Sequence, residues 1–260
     1  STLSSSSAAS DVYKRQVCGT ICPNLCMENC SRKKVDYSID VSVLGRAINT
    51  AEPLKTAPAT GRKVAIIGGG PGGMAVAWHL ALNGIEAHIF ERGEDIGGKL
   101  AQTIPWERLS RAVWEREIER FKKTPNIFIN TGVSMSKDRM EELKKEFDYV
   151  VIAVGTHQPR IIPFPGHEKV IPALEYLKAA KSDTPMKTGK KVVIIGAGNV
   201  GCDVAAECYR LGADQVTLVD IQKPLAFGKE KESAEALGAT FKWPVMTLSL
   251  IHISEPTRPY

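Results

Sequence analysis

Two glycine-rich turns of one design constrain this 260-residue chain more than any other feature. The first lies in AIIGGGPGGMAVA (65–77) and the second in VIIGAGNVGCDVA (193–205). Each turn follows a continuous apolar run, which is typical of a strand buried in a parallel sheet, and precedes a run with helical character. The repeat predicts an α/β chain with two Rossmann-like dinucleotide-binding domains in series.

The first turn has the spacing G-x-G-x-x-G, formed by Gly68, Gly70 and Gly73. In such a turn the first glycine permits a tight bend, the second lets a pyrophosphate approach the backbone, and the third lets the helix pack on the strand. The helix N-terminus supplies N–H groups and a positive dipole end for the phosphates. The next predicted strand, AHIF, is followed by Glu91, whose carboxylate can accept hydrogen bonds from a ribose.

The second turn repeats these elements with Gly196, Gly198 and Gly201, and its second predicted strand ends at Asp220. Two complete fingerprints indicate two dinucleotides, with hydride transfer between them as the chemical reason for the pair. Two other interpretations stay open at this point. A duplicated domain could bind one type of nucleotide twice, or the glycine-rich turns could bind no ligand.

Further glycines accompany the first turn. The pair Gly97 and Gly98 follows it, and a predicted buried strand ends in AVG at Gly155. In this order the features resemble the two-dinucleotide flavoprotein reductases. In that family the first glycine-rich turn and the helix after it (the first cradle) hold FAD, and the second turn and its helix (the second cradle) hold NAD(P)H. The disulfide reductases of that superfamily carry a redox cysteine pair, but the segment after the double glycine has no cysteine here. Cys202 and Cys208 are interpreted as small buried residues, so disulfide reduction is not expected.

Four of the six cysteines lie close together, at Cys18, Cys22, Cys26 and Cys30. Thiolates clustered in this way indicate an iron–sulfur site or a zinc site, although a repeated C-x-x-x-C spacing is typical of neither. A helical stripe of buried cysteines is the structural alternative, and Pro23 interrupts any such helix.

The combination resembles the glutamate synthase small (beta) subunit family of NAD(P)H-dependent FAD/iron–sulfur oxidoreductases, which includes the N-terminal part of dihydropyrimidine dehydrogenase. The resemblance implies a helical domain with two [4Fe–4S] clusters, in which Cys22, Cys26 and Cys30 are ligands. Cys18 is a fourth candidate that the resemblance supports less than the other three, because relatives often lack a cysteine there. The segments that carry the resemblance are CGTICPNLCMENC, VDYSIDVSVLGRAI, IPWERLS, AVGTHQPR and GAGNVGCDVA.

Two parts that the family has are missing from this sequence: cysteines upstream of Cys18, and the closing part of the FAD domain. We therefore expect both Rossmann-like domains to be incomplete and the fragment to be inactive by itself. The ends, 1–16 and 248–260, resemble translated sequencing-adapter read-through and are expected to be artefactual, with disordered tails as the alternative. The predicted parts between them are a helical Cys-rich iron–sulfur segment (17–60, truncated), an FAD-binding domain (61–160), a connector (161–187) and an NAD(P)-binding domain (188–247, truncated).

The function implied by the resemblance is that of an NAD(P)H-dependent FAD oxidoreductase. Electrons pass from nicotinamide to FAD and through [4Fe–4S] clusters to an electron-accepting protein subunit. Asp220 favours NADH, because its carboxylate would repel the 2′-phosphate of NADPH, while Lys223 could attract that phosphate. The cofactors carry the chemistry, so no catalytic acid, base or nucleophile is assigned. The alternatives are a reductase of the same build that serves ferredoxin or a sulfur-metabolism complex, and a non-catalytic nucleotide-binding redox sensor or assembly subunit.

The charge pattern excludes some classes of partner. The formal net charge is +5 and no block of like charges is present, which argues against nucleic acid as a partner. Residues 64–85 carry no Asp, Glu, Lys or Arg, but their glycines and Pro71 are not typical of a membrane span. We expect a cytoplasmic protein with no membrane span.

Overall fold

The computed structural model describes residues 15–47, 56–156, 158–159 and 161–250. The chain divides into two compact units, with the boundary after Thr156. Both predicted artefactual ends lie almost entirely outside the described residues, which begin at Arg15 and end at Leu250.

Three short helices and a 3-10 turn begin the described chain. Helix α1 spans Arg15–Ile21, α2 spans Leu25–Glu28, the 3-10 turn spans Ser31–Lys34, and α3 spans Val41–Ala47. Pro23 lies in the gap between α1 and α2. Val17 of α1 is buried and packs with Leu109 and Trp114, so apolar side chains anchor the Cys-rich segment to the rest of the first unit.

The first unit is built on a four-stranded parallel sheet. Its strands are β1 (Lys63–Ile67), β2 (Glu86–Phe90), β3 (Ile127–Asn130) and β4 (Tyr149–Ile152), in the spatial order β3-β2-β1-β4. This order is the beginning of the Rossmann strand order. Helix α4 (Pro71–Leu82) connects β1 to β2, so the first glycine-rich turn joins a strand to a helix as predicted.

Three further helices complete the first unit: α5 (Gly98–Gln102), α6 (Arg111–Lys122) and α7 (Lys137–Glu146). Successive residues of β1 point to opposite faces of the sheet. Ile66 packs with Trp78 and Phe121 on one face, whereas Ala65 packs with Leu143 on the other. Both faces are therefore buried, which explains why β1 is a continuous apolar run in the sequence.

The elements of the second unit are α8 (Ala173–Ala180), β5 (Lys191–Ile195), α9 (Asn199–Arg210), β6 (Gln215–Val219), α10 (Gly228–Ala236) and β7 (Thr240–Lys242), and a 3-10 turn at His167–Lys169 precedes them. The strands form a parallel sheet in the order β5-β6-β7. Tyr176 and Leu177 of α8 lie in one core with Cys202 and Cys208 of α9. The segment 161–187 thus contributes a helix to this core.

The fold class predicted from the sequence is confirmed, since both units are parallel α/β structures of the Rossmann type and short helices precede the first sheet. Cys202 and Cys208 are 0% and 1% exposed, which matches their interpretation as buried small residues. Within the described part of the chain, none of the helices is both long enough and apolar enough to cross a membrane.

Candidate functional site

Two glycines of the first turn are required by the fold itself. Gly68 has φ +107°, a backbone conformation that residues with a side chain rarely adopt, and a Cβ at this position would overlap the carbonyl oxygen of Ala153. A Cβ on Gly73 would overlap the carbonyl oxygen of Gly68, where α4 crosses β1. These two positions therefore fix the bend and the close packing of helix on strand.

Gly70, the middle glycine, is different. Its φ and ψ are −74° and −177°, an extended conformation open to any residue, and the nearest heavy atom to an added Cβ is the Cα of Gly98 at 4.0 Å. Gly198 in the second turn has φ −91° and ψ −179°, and nothing lies within 4 Å of its added Cβ. The protein's own structure needs glycine at neither position, whereas a pyrophosphate lying against the backbone does. Both turns therefore fit a bound dinucleotide.

The second turn repeats the bend and the close helix packing of the first, although nothing lies within 4 Å of a Cβ added to Gly196. Gly196 has φ +109°, and a Cβ on Gly201 would overlap the carbonyl oxygen of Gly196. Each turn leads into a helix of 12 residues, α4 or α9. The first N–H groups of each helix have no partner within the helix and point towards the turn, where a phosphate can accept their hydrogen bonds.

The acids predicted for the ribose lie beside these turns. Glu91 Oε2 accepts a hydrogen bond from the Gly69 N–H at 2.6 Å, and its Oε1 accepts from the Gly93 N–H at 2.8 Å. Asp220 Oδ2 accepts from the Ala197 N–H at 2.8 Å, and its Oδ1 accepts from the Gln222 N–H at 3.2 Å. A carboxylate has about four acceptor sites. Each acid therefore keeps capacity for the hydroxyls of a ribose.

In each unit, one backbone hydrogen bond joins the segment that follows the acid to the glycine-rich turn. Gly97 N–H donates to Gly69 O at 2.7 Å, and Ala226 N–H donates to Ala197 O at 3.2 Å. The residue between the first two glycines is thus held on both sides in each unit, by the acid at its N–H and by the returning segment at its carbonyl. Gly69 and Ala197 were not singled out in the sequence, because their contribution comes from backbone atoms.

The remaining predicted glycines also lie at or near the first turn. Gly97 and Gly98 have φ +115° and +51°, and a Cβ on Gly97 would overlap the ring of Trp114. Gly98 lies against Gly70, with its added Cβ 3.0 Å from the Cα of Gly70. Gly155, with φ +68°, follows the end of β4. The folded chain explains Gly97 by packing and backbone conformation, and contact of these glycines with a cofactor stays a prediction.

The four clustered cysteines are not gathered into a metal site. Cys18, Cys22 and Cys26 are exposed and Cys30 is half-buried. No group of three or more Cys, His, Asp or Glu side chains among the residues that the structure describes is arranged to hold a metal ion. As arranged here these residues do not fit a [4Fe–4S] cluster or a zinc ion. Iron–sulfur ligation by Cys18, Cys22, Cys26 and Cys30 stays a prediction, and we derive no electron step through it.

Cys30 nevertheless has a distinct environment. Backbone N–H groups of Ile39 and Arg32 lie against its thiol at the start of the 3-10 turn and hold its pKa below the usual value. Burial has the opposite effect on Cys202, where loss of solvation raises the thiol pKa to about 11. The thiolate, which is the reactive form, is thus favoured at Cys30 and disfavoured at Cys202.

Sequence reasoning did not identify the role of Asn199, the first residue of α9. Its side-chain amide forms two hydrogen bonds with the backbone of Phe227, at the residue before α10. The first turn has Pro71 at the same place. In the sequence, the middle glycine is followed by a polar residue in the second turn and by proline in the first, and only this difference could have indicated the role of Asn199.

The profile of the family described as pyridine nucleotide-disulphide oxidoreductase matches residues 62–242. The chain belongs to this family. The match covers both glycine-rich turns and both acids. The resemblance to two-dinucleotide reductases is therefore confirmed at the level of the family.

This member of the pyridine nucleotide-disulphide oxidoreductase family is similar to longer proteins. It is 35% identical over 218 residues to the NADPH-Fe(3+) oxidoreductase subunit beta of Geobacter sulfurreducens, and the aligned region covers 78% of this chain and 32% of the relative. It is 33% identical over 225 residues to the glutamate synthase [NADH] of Schizosaccharomyces pombe, and that aligned region covers 78% of this chain and 11% of the relative. The chain thus spans a third or less of the length of these relatives.

A comparison with solved structures supports the fold. The structure of 2-naphthoyl-CoA reductase in complex with 2-naphthoyl-CoA superposes with a TM-score of 0.59 and 21% identity. The superposition covers 75% of this chain and 30% of the other. At this identity the likeness concerns the fold alone.

Proposed function

We propose that the chain is the nucleotide-binding part of an NAD(P)H-dependent FAD oxidoreductase of the glutamate synthase small-subunit type. In this proposal the first glycine-rich turn binds FAD, the second binds NAD(P)H with NADH preferred, and the electrons leave to an accepting protein subunit. The protein acts in the cytoplasm.

The observation that carries the proposal is the conformation of Gly70 and Gly198. Both have extended backbones and open space where a side chain would lie, so a ligand explains their identity better than the fold does. Each unit contains one middle glycine of this kind. This supports two separate dinucleotides, one in each unit.

In the first unit, the N–H groups at the start of α4 would bind the FAD pyrophosphate, and Glu91 would accept hydrogen bonds from the ribose. Glu91 also holds the Gly69 N–H at 2.6 Å, so the turn is preorganised before any ligand arrives. The end of β4 lies beside the turn, since the carbonyl of Ala153 approaches Gly68. Preorganisation of this kind lowers the entropic cost of binding.

In the second unit, the N–H groups at the start of α9 would bind the pyrophosphate of the nicotinamide nucleotide, and Asp220 would accept from its adenosine ribose. The carboxylate is fixed by Ala197 and Gln222, so it cannot easily turn away from a 2′-phosphate. When bound, the nicotinamide and the flavin supply hydride-transfer chemistry, and the chain's contribution is to bind and orient them.

The proposed partner, an electron-accepting protein subunit, is inferred from the similar proteins. The Geobacter relative is named as a subunit beta and the yeast relative as a glutamate synthase. The name of the first relative specifies NADPH and that of the second specifies NADH, so similarity to these proteins does not determine which nucleotide binds. The charge of Asp220 is the reason for proposing NADH.

The test is cofactor uptake followed by reduction, on a protein that carries this chain together with the closing part of the FAD domain, because the fragment by itself is expected to be inactive. That protein, incubated with FAD and passed over a desalting column, should retain flavin that is released on denaturation. Addition of NADH under anaerobic conditions should then bleach the visible flavin absorbance, and an artificial one-electron acceptor should restore it. A folded protein of this composition that takes up no FAD contradicts the proposal. Flavin that binds but is not reduced would favour the non-catalytic redox sensor.

A further inference from the structure

The side chain of Asn199 forms a two-point contact with the backbone of Phe227. Its Oδ1 accepts a hydrogen bond from the Phe227 N–H at 3.2 Å, and its Nδ2 donates to the Phe227 carbonyl oxygen at 3.2 Å. Asn199 is the first residue of α9, and Phe227 immediately precedes α10. One side-chain amide therefore ties the start of the cradle helix to the start of the next helix.

The contact closes a short segment, 221–227, that directly follows Asp220. At its beginning, the Gln222 N–H donates to Asp220 Oδ1 at 3.2 Å. At its end, the Ala226 N–H donates to Ala197 O at 3.2 Å, and Ala226 is 7% exposed. Lys223, between these two ends, is exposed. The segment is thus held at both ends, with a solvent-facing lysine between them.

The first cradle lacks this amide. Pro71 lies at the place of Asn199, and a pyrrolidine ring has no hydrogen-bonding group. Both cradles share the returning backbone hydrogen bond, to Gly69 O or to Ala197 O. The amide contact is therefore a feature added to the second cradle, on the side where the segment after the acid lies.

We propose that Asn199 is a positioning residue for the nicotinamide nucleotide and sets the preference between NAD(H) and NADP(H). It acts by holding segment 221–227 so that Asp220 and Lys223 meet the 2′ position of the adenosine ribose in one fixed arrangement. Residues at this place decide between a ribose hydroxyl and a 2′-phosphate in Rossmann domains. The inference rests on the proposed function, since it requires a nicotinamide nucleotide in the second cradle.

The experiment compares Asn199→Ala and Asn199→Ser with the wild-type chain, using NAD⁺ and NADP⁺ as probes. Calorimetric titration of the full chain gives both dissociation constants, and hydrogen exchange reports on the amides of 221–228. Ser233→Ala is the matched control, because Ser233 is an exposed residue of α10, the helix that the Asn199 contact reaches, and lies outside the second turn. Asn199→Ser keeps a polar residue at the helix start if the alanine variant does not fold.

Loss of the two hydrogen bonds should weaken NAD⁺ binding by about 3- to 30-fold. The ratio of the NADP⁺ and NAD⁺ dissociation constants should move towards one, and the Ala226 and Phe227 amides should exchange faster. Ser233→Ala should change none of these quantities. A change in the ratio identifies positioning, because general destabilisation of the unit would weaken both nucleotides equally.

The outcomes separate this inference from the proposed function. If the wild-type chain binds neither NAD⁺ nor NADP⁺, the nicotinamide site itself is wrong, and the inference falls with it. If the wild-type chain binds NAD⁺ and both Asn199 variants keep the wild-type ratio, Asn199 is not a positioning residue and the proposed function is unaffected.

Discussion

The carboxylate of Glu91 accepts a hydrogen bond from the backbone N–H of Gly69 at 2.6 Å, across 22 positions of sequence. Asp220 and Ala197 repeat this relationship in the second unit at 2.8 Å. In each unit the acid at the end of the second strand holds the residue between the first two glycines of the turn. The acid thus fixes the shape of the turn that would bind the phosphates, besides offering acceptors to the ribose.

Removal of the Asp220 charge should change nucleotide preference with little loss of structure. Asp220→Asn keeps an acceptor for the Ala197 N–H but no longer repels a 2′-phosphate. Repulsion of about 1–3 kcal/mol predicts that the preference for NAD⁺ over NADP⁺ falls by about 5- to 150-fold. The ratio of the two dissociation constants, measured by titration, checks this.

Glu91→Gln is the matched control, since it makes the same chemical change in the other cradle. It should leave the NAD⁺ to NADP⁺ ratio at the wild-type value. An unchanged ratio in Asp220→Asn would show that this carboxylate does not discriminate between the nucleotides.

The helical glycines Gly72 and Gly73 should respond oppositely to alanine. An added Cβ on Gly73 overlaps Gly68 O, so Gly73→Ala should lower the free energy of unfolding of the first unit by roughly 1–3 kcal/mol. Nothing lies within 4 Å of the corresponding Cβ on Gly72, so Gly72→Ala should raise that free energy by up to about 1 kcal/mol. Urea unfolding followed by tryptophan fluorescence measures both, and equal effects would refute the close helix–strand contact.

Burial of Cys202 should make the second unit less stable at high pH. Loss of solvation raises its thiol pKa from 9.0 to about 11 in the folded chain, and the charge of Asp203 adds to the shift. A raised folded pKa gives stability that is complete below the unfolded pKa and is lost as pH rises through the folded pKa, here from about 9 to about 11.

The corresponding measurement is urea unfolding of wild-type chain and Cys202→Ala at about pH 8 and about pH 10.5. The advantage of wild type over the variant should shrink by about 1–2 kcal/mol between these two values. Comparison of the two chains cancels the contribution of other titrating groups, such as Lys181, whose pKa is lowered by burial to about 8. A constant difference would contradict the raised pKa of Cys202.

Both cradles could be predicted from the sequence because their requirements are local. Gly68 and Gly73 are needed where β1 meets α4, and the continuous apolar run of β1 reflects burial on both faces of the sheet. The acids Glu91 and Asp220 were predicted from their distance along the chain, which a strand–helix–strand unit fixes within narrow limits.

The features that could not be predicted depend on contacts between distant segments. Asn199 pairs with Phe227, 28 positions away, and only the returning path of the chain brings them together. Helix α8 brings Ala173, Tyr176, Leu177 and Ala180 to the core of the second unit at helical spacing, but it is only eight residues long, shorter than the window over which helical periodicity is distinguished from other structure. The cysteine spacing indicated a shared site, yet spacing alone does not determine where four thiols lie in space.

The most direct test that each glycine-rich turn binds its own dinucleotide is to replace the two middle glycines separately, by Gly70→Ala and by Gly198→Ala. Neither added Cβ meets the protein more closely than 4.0 Å, so both variants should unfold within about 1 kcal/mol of wild type. FAD retention and NAD⁺ affinity are then measured on each variant, in a protein that also carries the closing part of the FAD domain. The account predicts that Gly70→Ala loses FAD by at least about tenfold in affinity and keeps NAD⁺, while Gly198→Ala does the reverse. Two folded variants that bind both dinucleotides as wild type does would contradict it.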